Sequence, residues 1–455
     1  GSILNVGVEY KTIKDILIKF LYNWVDKNQR KEFNSMSEFN YIRNLLELKE
    51  VEVINVDVNS RVNLIHIKRP TTPHICPNCC NTTSKTHDYR LQYIKDIPIN
   101  LKPTFLVYKK RRYICPSCNK KFYENNTFVG RYQHKSSRLN TTIIRELMSE
   151  SSQTSVARRY NVSTSTVGRV IDYIPNTQLD ELPQVIAIDE FKGDTNYGKY
   201  QCIITDPVDS KVLDILPVRN EIRLKEYFRK FSLEQRKGVK YAVIDMWRPY
   251  ASVIKEMFPN VKLVIDRFHY VRQITWAMEN VRKKIQKTLS KEDRLYFKNS
   301  KKLLLKNSLY ISDEEYIRLR VMFRRSNKLE KAYDLKEIFY WVLQSKNSIE
   351  ANERLDVWFR DIDEYKIPEF EYAAKTIRNW KRHILNSFDV PYTNAFTEGK
   401  NNKIKVLKRN GYGLRNFNRL KTRILLNNHH TKKGYHHIVT PFASTNFIGI
   451  TPTFD

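Results

Sequence analysis

The chain has 455 residues, enough for two or three domains with real cores, and its 41% hydrophobic and 12% aromatic content excludes a disordered protein. Its 80 Lys and Arg against 49 Asp and Glu leave a formal net charge of +31, which points to a polyanionic partner, nucleic acid before a membrane surface. No run approaches the ~18 apolar residues of a spanning helix, and no basic-then-apolar targeting pattern opens the chain, so a cytoplasmic, nucleoid-associated protein with no membrane partner is expected. Residues 1–50 carry helical spacing at Ile13, Ile16, Leu17, Phe20 and Leu21, then at Tyr41, Ile42, Leu45 and Leu46, and read as a helical lead-in. From Val51 the pattern alternates, as in Val53-Ile-Asn-Val-Asp-Val58 and Val62-Asn-Leu-Ile-His-Ile67, which predicts strands.

Residues 51–130 hold the first motif. Cys76-Pro-Asn-Cys79 and Cys115-Pro-Ser-Cys118 each place two thiolates within reach of one tetrahedral ion, and predicted strands at 91–98 and 104–113 would bring the two knuckles together. One structural Zn²⁺ held by Cys76, Cys79, Cys115 and Cys118 is the expectation; disulfides and an iron–sulfur cluster are the alternatives. Four sulfur ligands close the shell, so this ion holds the fold and performs no chemistry. His74 and His87 flank the knuckles as substitute ligands or ordinary surface histidines, and Cys80 and Cys202 read as free thiols. Lys109-Lys-Arg-Arg112 is either a solvated strand edge or a phosphate contact.

Residues 131–178 read as a three-helix unit. After a helix over 141–150, Val156, Ala157 and Tyr160 mark one apolar helical face, Asn161 suits a left-handed turn, and Ser163 caps a helix carrying Val167, Val170 and Ile171. That is helix-turn-helix spacing, with a plain helical hairpin as the alternative. Ser163, Thr164, Ser165, Thr166 and Arg169 would face a major groove, with Arg158 and Arg159 near the backbone.

A sheet follows in residues 179–270. Val185-Ile-Ala-Ile-Asp-Glu190, Tyr241-Ala-Val-Ile-Asp245 and Lys262-Leu-Val-Ile-Asp266 are three short apolar runs that each end in an aspartate. A lone aspartate after a strand is commonly a turn former or cap, but repetition makes a constellation. Strands at 200–205 and 211–216, joined by a turn, complete an antiparallel meander, and helices at 221–231 and 250–258 cross to the later strands. That order describes a ribonuclease-H-like mixed α/β core, in which Asp189 and Asp245 lie side by side and share Mg²⁺ or Mn²⁺, the cations suited to oxygen-only ligation. The fold class is thus multidomain α+β, the core being interrupted by an all-helical insertion over 271–390. Trp341, Trp358 and Trp380 in that insertion read as core, with base stacking as the alternative.

Residues 391–430 supply the third carboxylate, with a tail over 431–455. Thr393 or Asn394 caps a helix on which Glu398, Asn401, Asn402 and Lys405 share a face. From Lys400 to Arg423 there are nine Lys or Arg and no acid, so Glu398 needs a cation nearby, unless it serves only the helix N-terminus. Lys400, Lys403, Lys405, Lys408 and Arg409 are the predicted phosphate contacts.

From about residue 50 to about 427 the chain resembles the bacterial insertion-sequence transposases of the ISL-three type. The residues that carry the resemblance are Ile188-Asp-Glu-Phe191, Asp245-Met246, Asp266-Arg-Phe-His-Tyr270, Thr397-Glu-Gly-Lys-Asn-Asn-Lys-Ile-Lys405 and Gly411-Tyr-Gly-Leu-Arg-Asn-Phe417. The resemblance implies that Asp189, Asp245 and Glu398 are a catalytic triad holding two Mg²⁺ or Mn²⁺, and that Asp266 and His269 form an Asp-x-x-His signature supporting it. It further implies a DNA transposase that binds terminal inverted repeats and target DNA as double strands, cleaves and joins strands, and works as a homodimer or higher assembly. A ribonuclease-H-like nuclease without joining activity, or a transposase-derived DNA-binding regulator, are the rival readings.

Overall fold

A computed structural model describes residues 41–44, 46–175, 179–411 and 414–428. The helical lead-in up to residue 40, Leu45, Tyr412-Gly413 and the tail from residue 429 lie outside the described residues. The described chain forms two compact units: one running to Glu146 and including Thr154–Val170, the other made of Leu147–Gln153 and the chain from Ile171.

The first unit is built on seven strands: β1 (Glu52–Val58), β2 (Asn63–Lys68), β3 (His74–Ile75), β4 (Thr82–Thr83), β5 (Thr86–Ile99), β6 (Lys102–Ile114) and β7 (Lys121–Tyr123). Five of them form a sheet in the order β1-β2-β6-β5, with β7 paired to β6. The long β5–β6 hairpin turns on Asn100 and Leu101, whose φ values of 51° and 62° are those a two-residue turn of this twist demands at both central positions. Alternate residues such as Ile65, Ile67, Ile94, Leu106 and Tyr108 are buried with Leu48, Val51 and Phe128, so period-two patterning forms the core. Buried Asp96 on β5 accepts from Ser136 Oγ at 2.6 Å and from Arg138 Nε at 2.8 Å, fastening the first helix, α1 (Ser137–Leu147), to the sheet. Next come α2 (Gln153–Arg159) and α3 (Thr164–Asp172), with Val156, Ala157, Tyr160, Val167, Val170 and Ile171 buried.

The second unit holds a sheet in the order β10-β9-β8-β11-β12, formed by β8 (Val185–Thr195), β9 (Gly198–Asp206), β10 (Lys211–Leu216), β11 (Tyr241–Ile244) and β12 (Lys262–Ile265). The first three strands are an antiparallel meander, while β8, β11 and β12 run parallel. Connections pass through α4 (Glu221–Phe228), α5 (Leu233–Gly238) and α6 (Arg248–Met257). Because both faces of β11 and β12 are covered, their sequences are unbroken apolar runs with no alternation. A helical segment follows: α7 (Arg267–Thr288), α8 (Lys291–Tyr296), α9 (Lys301–Leu305), α10 (Asp313–Arg325), α11 (Asn327–Val342), α12 (Ser348–Tyr365) and α13 (Pro368–Leu385). The chain returns to the sheet with α14 (Ala395–Asn410) and α15 (Phe417–Asn428).

Several expected boundaries move. The helix placed at 141–150 begins at Ser137, because Ser136 Oγ accepts from the Leu139 amide, and stops at Leu147, because Arg423 takes the carbonyls of Ser149 and Ser151. The helix placed at 221–231 ends at Phe228, and a second helix beyond that range, Leu233–Gly238, is opened by the Ser232 cap. The insertion is no separate body either: Trp358, Ile377 and Ile384 belong to one apolar cluster with Ile186, Ile244 and Ile265 of the sheet. Trp358 is fully buried, its Nε1 donating to the Leu335 carbonyl at 2.9 Å, and Trp380 is buried, whereas Trp341 is exposed with Arg354 4.4 Å above its ring.

Candidate functional site

The parallel register aligns the carboxylates. Val243 pairs with both Ala187 and Val264, so two residues further on the same rungs carry Asp245 between Asp189 and Asp266. β8 outruns β11 at this point and continues along β9, leaving Asp189 half-buried where the sheet opens. Its Oδ1 accepts the Glu190 amide at 2.7 Å and its Oδ2 accepts Asn401 Nδ2 at 2.8 Å.

Burial pushes both aspartates up, and neighbouring Asp and Glu carboxylates add to it: Asp245 is raised to about 6, Asp189 in the same direction, with His269 the opposing positive neighbour of both. Asp245 Oδ1 is buried and has no hydrogen-bond partner. Glu190 is paired to Arg219. Two half-buried carboxylates that each resist ionisation, one with an orphaned oxygen, are a donor set for a hard cation.

The helix carrying Glu398 is fixed by three neighbours on one face. The Asn394 amide donates to buried Asp266 at 2.9 Å, Thr397 Oγ1 meets Thr205 Oγ1 at 2.7 Å, and Asn401 reaches Asp189. The spacing i, i+3, i+7 is that of one helical stripe. Asn394 sits at the N-cap position but its side chain does not cap; Thr393 Oγ1 accepts the Ala395 amide at 3.3 Å instead. Glu398 lies beside the stripe and is exposed. Among the described residues only the four cysteines bring three or more ligand atoms within 4.8 Å of one another, so Asp189, Asp245 and Glu398 are not gathered that closely.

The cysteines are gathered. Cys76 and Cys118 sulfurs are 3.5 Å apart, as are those of Cys79 and Cys115. The two knuckles are the same turn used twice: the amides of Cys80 and Asn119 donate to the carbonyls of Cys76 and Cys115, and Cys80 and Asn119 both take left-handed φ, 59° and 58°. Cys80 is therefore a turn residue. The Lys120 amide draws Cys118 down to about 6, whereas Cys79, despite the Asn81 amide, is pushed up to about 12 by the surrounding thiols. Four sulfurs this close ionise together only around a cation. Neither flanking histidine joins them: His74 stacks on Tyr113 with ring centres 4.6 Å apart, and His87 lies 3.0 Å from Asp88.

In the helix-turn-helix, Asn161 takes the left-handed turn with φ of 52°, and Ser163 Oγ accepts the Thr166 amide at 3.1 Å. Thr164, Ser165 and Arg169 are exposed, as are Arg158 and Arg159, the latter paired with Glu146. Thr166 departs from expectation: it is buried, its hydroxyl held by Ser163 Oγ and accepting from Arg169 at 3.3 Å, so it steadies Arg169 and shows no face to a groove. On α14, Lys403, Lys405 and Arg409 are exposed, Lys400 lies over the Phe396 ring, and Lys408 is engaged by the Lys192 carbonyl and Asp194. Of Lys109 to Arg112, Lys109 covers the Tyr89 ring, Lys110 that of Tyr123, Arg111 is in a buried pair with Glu124 and Arg112 pairs with Asp88.

Arg219 and the Thr205–Thr397 pair escaped the sequence reading because their partners are far away in the chain. Trp247 did have a signal, standing two residues after Asp245.

Comparison with known proteins gives three family matches: residues 186–424 to the DDE-type transposase of the ISL3 group, residues 72–118 to the zinc-finger of the transposases of IS204, IS1001, IS1096 and IS1165, and residues 124–174 to the helix-turn-helix domain of transposase family ISL3. The transposase for insertion sequence element IS1001 of Bordetella parapertussis is 24% identical over 359 residues, covering 77% of this chain and 88% of that protein. A Lactococcus lactis subsp. lactis protein named ATP-dependent protease is 26% identical over 140 residues, 30% of this chain and 40% of that protein, a stretch too partial to carry an activity across.

Proposed function

The chain belongs to the ISL3 transposase family, and from that premise we propose that Asp189, Asp245 and Glu398 are its catalytic triad, on a ribonuclease-H-like core. It is a DNA transposase with a DNA-binding helix-turn-helix and a structural zinc ribbon. The meander followed by parallel β11 and β12 supports the core assignment. The observation that carries the site is the aligned pair Asp189 and Asp245, both raised by burial, with Asp245 Oδ1 buried and without a hydrogen-bond partner.

These residues fit two Mg²⁺ or Mn²⁺, since every donor is an oxygen. Such ions, when bound, supply activation of the attacking oxygen and stabilisation of the leaving one. The protein's own residues do the positioning. Asn401 orients the Asp189 carboxylate, Asp266 fixes the start of α14 and so the height of Glu398 along the site, and His269 offsets the crowded negative charge. Lys403, Lys405 and Arg409, exposed on that helix, hold phosphates. The ribbon and helix-turn-helix select the terminal inverted repeats, and two ends require two copies of the chain, so a homodimer or larger assembly on double-stranded DNA is the working form. Incubation with the terminal repeats and Mn²⁺ should yield cleavage exposing a 3′-hydroxyl, followed by joining to a second duplex. Cutting without joining would make the protein a nuclease, and binding without cutting a regulator.

A further inference from the structure

Beside the carboxylates lies a cavity of about 480 Å³ whose walls include Tyr197, Lys199, Tyr200, Arg219, Trp247 and Pro249. Tyr197 and Tyr200 are exposed aromatic rings at 55% and 36%, set at the β8–β9 turn, where Gly198 takes a φ of 133° that favours glycine. The Arg219 guanidinium is 4.9 Å from the Tyr200 ring centre and 5.0 Å from that of Trp247, a flat cation seated between two aromatic faces. Trp247 is braced edge-on by Tyr250 at 4.5 Å. Both walls connect directly to the acidic edge: Arg219 pairs with Glu190, next to Asp189, and Trp247 stands two residues after Asp245.

We propose that this cavity takes one unpaired nucleobase of the DNA strand whose phosphodiester lies at Asp189 and Asp245, the base replacing the Arg219 guanidinium between Tyr200 and Trp247 while Arg219, exchanging Glu190 for the adjoining phosphate, meets that phosphate together with Lys199. The occupant follows from three properties of the walls. Aromatic faces offer stacking to any flat ring, two cations select a ring that carries an anion, and attachment to the acidic edge places the next nucleotide of a bound strand at the mouth. Drawing a base out of the duplex costs least where it is mispaired, so the pocket favours a frayed end. The proposal rests on the reading of Asp189 and Asp245 as the reacting edge.

The test uses the full zinc-loaded chain, no added divalent metal, and two short duplexes identical except for one mismatched terminal base pair. Wild-type protein should bind the mismatched duplex about tenfold more tightly, the worth of one stacked base. Tyr200→Ala and Trp247→Ala should bring the ratio to about one while keeping affinity for the paired duplex, and Trp247→Phe should retain most of the preference. Tyr200 is exposed, so its variant reads the pocket even if Trp247→Ala lowers stability. Equal binding by the wild type, or a preference that survives both alanine variants, overturns the proposal. Asp245→Asn separates the two readings: loss of cleavage with Mn²⁺ but an unchanged mismatch preference upholds both, whereas retained cleavage removes Asp245 and leaves the pocket result to stand by itself.

Discussion

The zinc knuckles and the carboxylate edge are two sets of ligands prepared to different degrees. In the knuckles, paired turns with left-handed residues at Cys80 and Asn119 aim backbone amides at the sulfurs, and four thiols close to within 4.8 Å of one another. At the carboxylate edge the sheet register aligns Asp189 and Asp245, yet Glu398 stays exposed on its helix. The difference follows from charge. A thiol that keeps its proton, as Cys79 does, can sit at contact distance from a thiolate such as Cys118, whereas a third ionised carboxylate would only add like charge, and Glu398 is not pressed against the others. One site is built around its ion; the other is built to accept an ion and a substrate together.

The largest expected effect breaks the first half of this comparison. Cys76→Ser or Cys115→Ser should abolish stoichiometric zinc and unfold the strands around the knuckles, since structural zinc contributes on the order of 10 kcal/mol of folding free energy. Elemental analysis with hydrogen exchange reads it: protection should fall in β3, β4 and the knuckle ends of β5 and β6, and stay in β8 to β12. Iron in place of zinc would overturn the assignment.

Next in size, Asp189→Asn or Asp245→Asn should cut strand cleavage by about a thousandfold or more, several kcal/mol of transition-state stabilisation, while end binding measured by gel shift is spared. Glu398→Gln sharpens the contrast. A loss equal to that of the aspartates shows the exposed glutamate joins the edge in the working complex, and full activity removes it from the triad.

A smaller effect concerns pH. In the metal-free protein Asp245 holds its proton up to about 6, above its unfolded range, so the folded state binds more protons than the unfolded between roughly pH 4 and 6. Stability from this group is therefore greatest at the acid end of that window and is lost as pH rises through 6; Asp189 acts in the same direction. Asp245→Asn should remove much of the slope and stabilise the metal-free protein near pH 7 by on the order of 1–3 kcal/mol. Denaturant titrations at pH 4.5 and 7.5 test this, and a wild-type slope unchanged in the variant would show the carboxyl is not strained.

The smallest effects lie on the DNA-binding residues. Arg169→Ala should reduce discrimination between terminal repeat and unrelated duplex by about 1–3 kcal/mol. Thr166→Ala should act more weakly and through Arg169, since Thr166 is buried against Ser163. Lys403→Ala should weaken all DNA binding and flatten its salt dependence, and Lys408→Ala should do less because Lys408 is already engaged by Asp194. Competition binding at two salt concentrations ranks the four; equal losses for Lys403 and Lys408 would show that the Asp194 contact yields to DNA.

What was legible in the sequence follows the range of each cause. Apolar runs such as Val185 to Ile188 announce strands because burial acts residue by residue, and the knuckle spacing announces zinc because both ligands of each pair are local. Asn161 and Ser163 were readable for the same reason. Thr166 was misplaced because exposure on a helix end is settled by which hydroxyl its cap selects. The ties of Asp266 to Asn394 and of Arg423 to Ser149 and Ser151 left no trace in spacing, since nothing nearby in the chain pairs with either.

That tie between Asp266 and Asn394 spans 128 residues of chain, and the Asn386 side chain, donating to the Leu263 carbonyl at 2.7 Å, fastens the same two ends. Because the helices between them share the apolar cluster of the sheet, ends that meet in this way accommodate extra chain in the turns between helices and not the loss of whole helices, and the entropy of closing the loop changes only logarithmically with its length. Size variation among relatives, tolerated fusions and sites where the backbone can be nicked without loss of the reacting edge should therefore concentrate between these two residues, in exposed turns such as Asn307 to Ser312, and be rare just outside them.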